Sequence, residues 1–180
     1  MRDDIKKIIE SIYLNGNIEL FLAGCKSKLL FMNDLFNLLK NHCTDYYIYP
    51  DENEPIVEIQ ITINVFSMEN IKIKYNSILK ICKIINVYYI QHEFSIDNPD
   101  PNGMDSCFDG FRNEAYNKKQ FEIDEKISAF LDSKGYTRLD NVDMEEIFPG
   151  ISQFPDSCDK NKMTVDNALF MDLWNLCGIE

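Results

Sequence analysis

The chain has 180 residues, 45% of them hydrophobic and 12% aromatic, which is enough apolar material for a sizeable core and excludes disorder of the whole chain. Its net charge of −12 is unevenly placed, with 12 acids against 10 bases in residues 1–96 and 18 acids against 8 bases in residues 97–180. Phosphate contacts need basic patches and a membrane span needs about 18 consecutive apolar residues, so we expect neither nucleic acid nor a membrane as a partner.

The N-terminal part is predicted to be helical. Isoleucines at helical spacing indicate an amphipathic helix over 3–13. The same segment lacks the continuous apolar stretch and small-residue cleavage site of a signal peptide, so we expect a cytoplasmic protein. A short helical piece follows over 18–23, and a helix is predicted over 27–42 with Ser27 as its cap.

Two long strands are predicted in the middle of the chain. After a short strand over 46–49, residues 56–66 alternate apolar and polar side chains, and residues 87–96 do so again. Between them, residues 68–85 are predicted to form a helix capped by Ser67. Its apolar stripe would consist of Met68, Ile71, Tyr75, Ile78, Cys82 and Ile85. This order suggests a β-α-β unit, whose connection would be right-handed if its strands are parallel neighbours.

The acidic half begins with a long predicted loop over 97–117, followed by a helix over 118–134 with Asn117 as cap and Gly135 at its end. A short strand over 136–139, helical turns over 142–148, a loop over 150–162 and a final helix capped by Thr164 complete the chain. The expected fold class is α+β, a single domain over 1–180. A central, mostly antiparallel sheet would be flanked by N-terminal and C-terminal helices.

Residues 98–109, NPDPNGMDSCFD, have the spacing of a calcium-binding loop in part. Such a loop normally opens with Asp, has an apolar residue at position eight and ends with Glu, whereas Asn98, Asp105 and Asp109 occupy those positions. Pro99 and Pro101 would also stiffen it. We interpret the segment as a turn-rich loop and expect no metal there.

The residues needed for most other catalytic or metal sites are scarce. The chain has two histidines and six cysteines with no CxxC spacing, so we expect reduced thiols and no zinc site. His92 falls on the apolar face of its strand and is predicted to be a hydrogen-bonded core residue, because the nearby sequence supplies no partner for a general base. No nucleotide-binding or hydrolase motif occurs, so we predict no cofactor and no enzymatic activity.

The crowding of acids after residue 96 favours a binding function. A surface of this sign would attract a basic protein and raise its association rate. The acids expected to contact such a partner lie in the long loop and in the segment after it: Asp97, Asp100, Asp105, Asp109, Glu114, Asp140, Asp143, Glu145 and Glu146. The expected aromatic anchors among them are Phe108, Phe111 and Tyr116.

In size, acidity and a composition typical of AT-rich coding sequence, the chain resembles the immunity proteins of bacterial polymorphic toxin and contact-dependent growth inhibition systems. Its ending TVDNALFMDLWNLC, residues 164–177, is similar to segments of that group. The resemblance implies an acidic cytosolic protein that neutralises one cognate toxin domain by direct binding. It assigns no role to individual residues.

Two other functional classes remain open on the sequence. One is a hydrolase or transferase that uses carboxylates such as Asp143 and Glu146, with or without a divalent metal. The other is an adaptor or structural subunit, which would present an exposed apolar patch. Metal-dependent thermal stabilisation would favour the first class, and a stable oligomer would favour the second.

Overall fold

A computed structural model describes residues 2–49, 54–68, 71–96, 106–153 and 162–178. The N-terminal helices are α1 (Asp3–Ile9), which continues as a π-helical turn (Glu10–Leu14), α2 (Ile18–Cys25) and α3 (Met32–His42). They confirm the helices predicted over 3–13 and 18–23. The third helix begins later than predicted, at Met32, and Ser27 does not cap it; the Ser27 hydroxyl donates instead to the carbonyl of Lys83 at 3.3 Å.

The central sheet consists of β1 (Asp45–Ile48), β2 (Ile56–Met68), β3 (Ile71–Cys82), β4 (Val87–Ile96) and β5 (Ser106–Arg112), which are antiparallel neighbours in chain order. A short strand β6 (Thr137–Leu139) joins β4 in parallel. Because β5 pairs with the second half of β4 and β6 with its beginning, both lie along the same edge of β4. The α+β class with a mostly antiparallel sheet is therefore confirmed.

The helix predicted over 68–85 is wrong. Met68 ends β2, and residues 71–82 form β3, which pairs with β2 from Met68↔Ile71 to Ile56↔Cys82. The predicted β-α-β unit is therefore three antiparallel strands, β2, β3 and β4. The segment also carries apolar residues at alternating positions 71, 73, 75, 79 and 81, a spacing that suits a strand. Pairing with strands on both sides decides between the two periodicities, because local propensity is a weak determinant.

The acidic half also differs from the prediction. Residues 106–112 form β5 within the segment expected to be a loop, while residues 97–105 lie outside the described residues. After α4 (Lys118–Ser133) and β6, helix α5 (Asn141–Glu145) is shorter than predicted, and Pro149 belongs to β7 (Ile147–Ser152), which pairs with β8 (Lys162–Thr164). Proline is tolerated there because β7 is an edge strand of this two-stranded ribbon in the part of the chain that the structure describes.

The final helix, α6 (Val165–Phe170), begins at the predicted cap. Thr164 Oγ1 accepts the N–H of Asn167 at 3.2 Å, and the Asn167 side chain accepts the N–H of Thr164 in return. The helix is shorter than predicted, because it ends at Phe170 rather than near Cys177. Met171 is extended, and a 3₁₀ turn (Leu176–Gly178) closes the described chain.

The sheet separates two apolar layers. On one face, α3 and α4 pack on residues such as Ile61, Leu79 and Ile90. On the other face, the N-terminal helices and α6 pack on the end of the sheet around Cys82, Val87 and Tyr89. Consecutive residues 87–92 of β4 are all buried, because this strand has a covered surface on both sides.

Candidate functional site

The start of α4 is fixed on the sheet by a cap and a buried amide. Asn117 Oδ1 accepts the backbone N–H of Gln120 at 2.9 Å, which confirms the predicted cap. The Gln120 side chain is fully buried, and its Nε2 donates to the carbonyls of Asn76 at 2.8 Å and Glu93 at 3.0 Å. Its Oε1 accepts the N–H of Tyr116 at 2.9 Å. The first turn of α4 therefore has a defined position above β3 and β4.

A chain of polar side chains crosses the interior between the sheet and α4. Ser77 Oγ lies 2.7 Å from His92 Nδ1, and His92 Nε2 lies 3.1 Å from Asp124 Oδ2. Arg138 Nη1 donates to Asp124 Oδ1 at 2.8 Å, and the Ser128 hydroxyl donates to the same oxygen at 3.2 Å. We call Ser77, His92, Asp124 and Arg138 the buried network; it connects β3, β4, α4 and β6.

The charge of Asp124 is stabilised by this network. Burial acts to raise the pKa of Asp124, but the hydrogen bond from His92 and the positive charge of Arg138 outweigh it and hold the pKa below its ordinary value. The carboxylate is therefore ionised at neutral pH and paired with a guanidinium whose side chain is 30% exposed.

The order Ser77–His92–Asp124 is that of a hydrolase triad, in which a base activates a hydroxyl nucleophile. Ser77 and His92 are both 0% exposed, so a substrate has no access to the hydroxyl. The prediction of His92 as a hydrogen-bonded core residue is confirmed. Its partners were missed because they stand 15 and 32 residues away in the sequence.

The network ends at an open cleft of about 700 Å³ beside the start of α4. Arg138 and Asp124 line it as an ion pair, and the exposed acids Glu114 and Glu125 line it as well. Exposed Lys118, which pairs with Glu122 at 3.6 Å, also lines it, so three acids face two bases. Phe121 also faces this cleft and is 56% exposed. We call this feature the acidic cleft. It combines carboxylates with an exposed aromatic ring, which are the groups that a cationic protein surface can contact.

Two acidic segments, each predicted to contact a partner, meet next to this cleft. Asn113 Oδ1 accepts the backbone N–H of Asn141 at 2.9 Å, and the carbonyl of Asn113 accepts a hydrogen bond from Arg138 Nη2 at 3.3 Å. Glu114 and Asp140 are the chain neighbours of the two bonded asparagines. The fold thus brings the end of the 97–117 segment and the start of α5 together.

The acids of α5 have local structural roles as well. Asp140 Oδ1 accepts the N–H of Asp143 at 2.8 Å, and Asp143 Oδ2 accepts the N–H of Asp140 at 3.1 Å, a reciprocal capping box. Glu145 is exposed, and Glu146 is half-buried, with its carbonyl accepting the N–H of Val165 at 3.0 Å. Of these four predicted contact residues, Asp140 and Glu145 are the exposed ones.

The remaining predicted contact residues lie in three different places. Asp97, Asp100 and Asp105 lie outside the described residues, as does most of the segment resembling a calcium loop. Phe108, Asp109 and Phe111 belong to β5 rather than to a loop. Glu114 is exposed at the acidic cleft.

Tyr116, predicted as an aromatic anchor, is half-buried in a small aromatic group. Its ring meets Phe94 edge-on at a centroid distance of 5.0 Å, and the Arg112 guanidinium lies 5.5 Å from its centroid. Phe121, which the sequence reasoning missed, is the more exposed ring. Its position off the inward stripe of α4, formed by Ile123 and Ile127, was the available signal.

A smaller cavity of about 210 Å³ lies on the opposite face of the sheet. Lys80 and Asp166 line it, with Lys80 Nζ at 3.9 Å from Asp166 Oδ1, and Glu145 lies at its edge. Burial raises the pKa of Asp166, and the charge of Lys80 opposes this rise. Two acids and one base line the cavity, and the base is paired with one of the acids.

Within the described ranges, no group of three or more His, Cys, Asp or Glu side chains is arranged to hold a metal ion. In the same ranges, no helix is both long enough and apolar enough to cross a bilayer. Comparison with protein families, with curated proteins and with solved structures found no match.

Proposed function

We propose that this protein is an acidic cytoplasmic binding protein that neutralises a basic toxin domain by direct contact, as the immunity proteins it resembles do. The observation that carries the proposal is the acidic cleft, where exposed Glu114 and Glu125 accompany an exposed Phe121. An enzymatic role has less support, because the hydroxyl and imidazole of the buried network have no contact with solvent.

The proposed interface combines two physical effects. A surface of one charge sign attracts an oppositely charged partner over about a Debye length and raises the association rate. An aromatic ring that becomes buried at the centre of the contact contributes strongly to the binding free energy and so slows dissociation. In the acidic cleft, Glu114 and Glu125 would supply the first effect and Phe121 the second. The exposed acid Asp140 would extend the surface to the start of α5.

The first test is to purify the protein from a lysate of its own source at low and at high salt, and to identify what accompanies it. One basic protein in equimolar amount, retained at high salt, is the expected result, because a desolvated contact is less screened than a surface ion pair. The association rate of that partner is then measured for the double variant Glu114→Lys/Glu125→Lys. We expect it to fall by about tenfold or more.

The matched control is Asp3→Lys/Glu19→Lys, which makes the same change of charge on exposed acids of the N-terminal helices, in the other layer. Because both variants change the net charge equally, only a local interface separates them. Equal effects of the two variants would remove the cleft from the interface. A lysate that yields no partner at either salt, together with thermal stabilisation by Mg²⁺, Mn²⁺, Ca²⁺ or Zn²⁺, would contradict the binding function and favour the carboxylate-based enzyme.

A further inference from the structure

Two cysteines that are distant in the sequence meet in the second apolar layer. Cys177 Sγ lies 2.9 Å from Cys25 Sγ, although the residues stand 152 positions apart in the chain. Cys25 is the last residue of α2 and is 1% exposed, and Cys177 belongs to the 3₁₀ turn and is half-buried. A disulfide needs a separation of about 2.05 Å, so the two sulfur atoms must approach by less than about 1 Å.

The turn that presents Cys177 is held from two directions. The Asp172 carboxylate accepts the backbone N–H groups of Leu176 and Cys177, both at 2.7 Å. The indole N–H of Trp174 donates to the carbonyl of Gln153 at 3.1 Å, and its ring packs edge-on against Tyr13 at 4.8 Å. The backbone of the turn that carries Cys177 is therefore fixed by several independent contacts.

We propose that Cys25 and Cys177 are a thiol-oxidation site at which a peroxide forms a disulfide joining α2 to the C-terminal turn. The half-buried Cys177 thiolate attacks one peroxide oxygen, becomes a sulfenic acid and releases hydroxide. The Cys25 sulfur then displaces water from the sulfenic acid and forms the S–S bond. In total, two thiols lose two protons and two electrons, and one hydrogen peroxide is reduced to two waters.

The surroundings determine how fast this step proceeds. Burial raises the pKa of the Cys25 thiol and, together with the hydrogen bond to Cys25, that of the Cys177 thiol. Since the thiolate is the nucleophile, the reaction is slow at neutral pH and accelerates as the pH rises. A third cysteine of this layer, Cys82, is fully buried, with its thiol donating to the carbonyl of Leu169 at 3.5 Å.

The link has a measurable consequence for stability. A bond between residues 25 and 177 closes a loop over most of the chain, so it restricts the unfolded state strongly. We expect the Tm to rise by about 5–10 °C on oxidation. Reduction with dithiothreitol should restore the original Tm.

The test treats the purified full chain with hydrogen peroxide at several pH values and maps its disulfides by mass spectrometry of non-reduced digests. We expect a peptide pair joining Cys25 to Cys177, a chain lighter by two hydrogen atoms and the rise in Tm. Cys177→Ser should abolish the rise. The control Cys43→Ser should keep it, because Cys43 is half-buried on the other side of the sheet, with its thiol donating to Leu39.

Disulfide mapping of the chain without substitutions tests the proposal even if a serine variant folds poorly. Sulfinic or sulfonic acid at Cys177 without the linked peptide pair would overturn the proposal. So would a dominant link from Cys25 to Cys82, or a rise in Tm that persists in Cys177→Ser.

Discussion

Asp124 is the residue at which the polar interior of this protein meets its surface. One carboxylate oxygen faces His92 inside the core, and the other accepts hydrogen bonds from Arg138 at the edge of the acidic cleft. A buried charge of this kind is tolerated because each oxygen has partners. An asparagine at this position keeps a single acceptor oxygen for the guanidinium and the imidazole and turns an NH₂ group toward one of them, so stability and the shape of the cleft should change together.

Asp124→Asn should lower the free energy of unfolding by about 2–4 kcal/mol at neutral pH, the range for breaking a buried, charged hydrogen-bond pair. The pKa of Asp124 is lower in the folded state than its ordinary value, so its contribution is present above about pH 4 and is lost as the pH falls below that. The variant lacks this contribution, and its stability should decline less on acidification.

Urea unfolding at neutral pH and near pH 3 measures both effects. Asp132→Asn is the matched control, because Asp132 is exposed on the same helix; it should change stability by less than about 0.5 kcal/mol. If Asp124→Asn behaves like Asp132→Asn in both measurements, the buried network does not stabilise the fold.

At the level of single elements, β3 is where sequence and structure differ most. The helical stripe predicted over 68–85 includes Ile78 and leaves out Leu79, whereas the strand places Leu79 in the core at 0% exposure and Ile78 in a half-buried position on the other face. The helix therefore predicts that Ile78 is the more buried of these two side chains, whereas the strand predicts that Leu79 is.

Leu79→Ala should cost about 2–5 kcal/mol of unfolding free energy, because it leaves a cavity in a packed core. Ile78→Ala should cost less, since part of that side chain already contacts water. Chemical unfolding of both variants decides between the assignments. A larger loss of unfolding free energy for Ile78→Ala than for Leu79→Ala would favour the helix over the strand.

Other elements were predictable because their signals are local. The cap at Asn117, the capping residue Thr164 and the alternation over 56–66 each depend on a few adjacent residues, and all three were confirmed. The buried network was not predictable, because Ser77, His92 and Asp124 meet only after β3, β4 and α4 have packed. The same holds for the meeting of Asn113 and Asn141, which brings the two acidic segments together.

For the whole molecule, the net charge of −12 reflects 30 acids against 18 bases. Two arginine pairs are close, Arg2–Asp4 at 2.7 Å and Arg138–Asp124 at 2.8 Å. Four ion pairs have N–O distances between 3.6 and 3.9 Å: Lys6–Glu10, Lys80–Asp166, Lys118–Glu122 and Lys134–Asp34. Most of these side chains are exposed, so such pairs contribute little. Repulsion among the acids should therefore dominate the electrostatic part of stability.

Added salt should consequently stabilise the protein. Raising NaCl from about 0.01 M to 0.1 M shortens the Debye length from about 30 Å to about 10 Å, which screens repulsion between distant acids more than it weakens close pairs. We expect the Tm to rise by a few degrees. The gain should shrink in a variant carrying Glu19→Gln, Glu114→Gln, Glu125→Gln and Glu145→Gln, because these four exposed acids contribute to the repulsion. A Tm that falls with salt would mean that attractive pairs outweigh the repulsion, and the acidic surface would then be balanced internally rather than available to a basic partner.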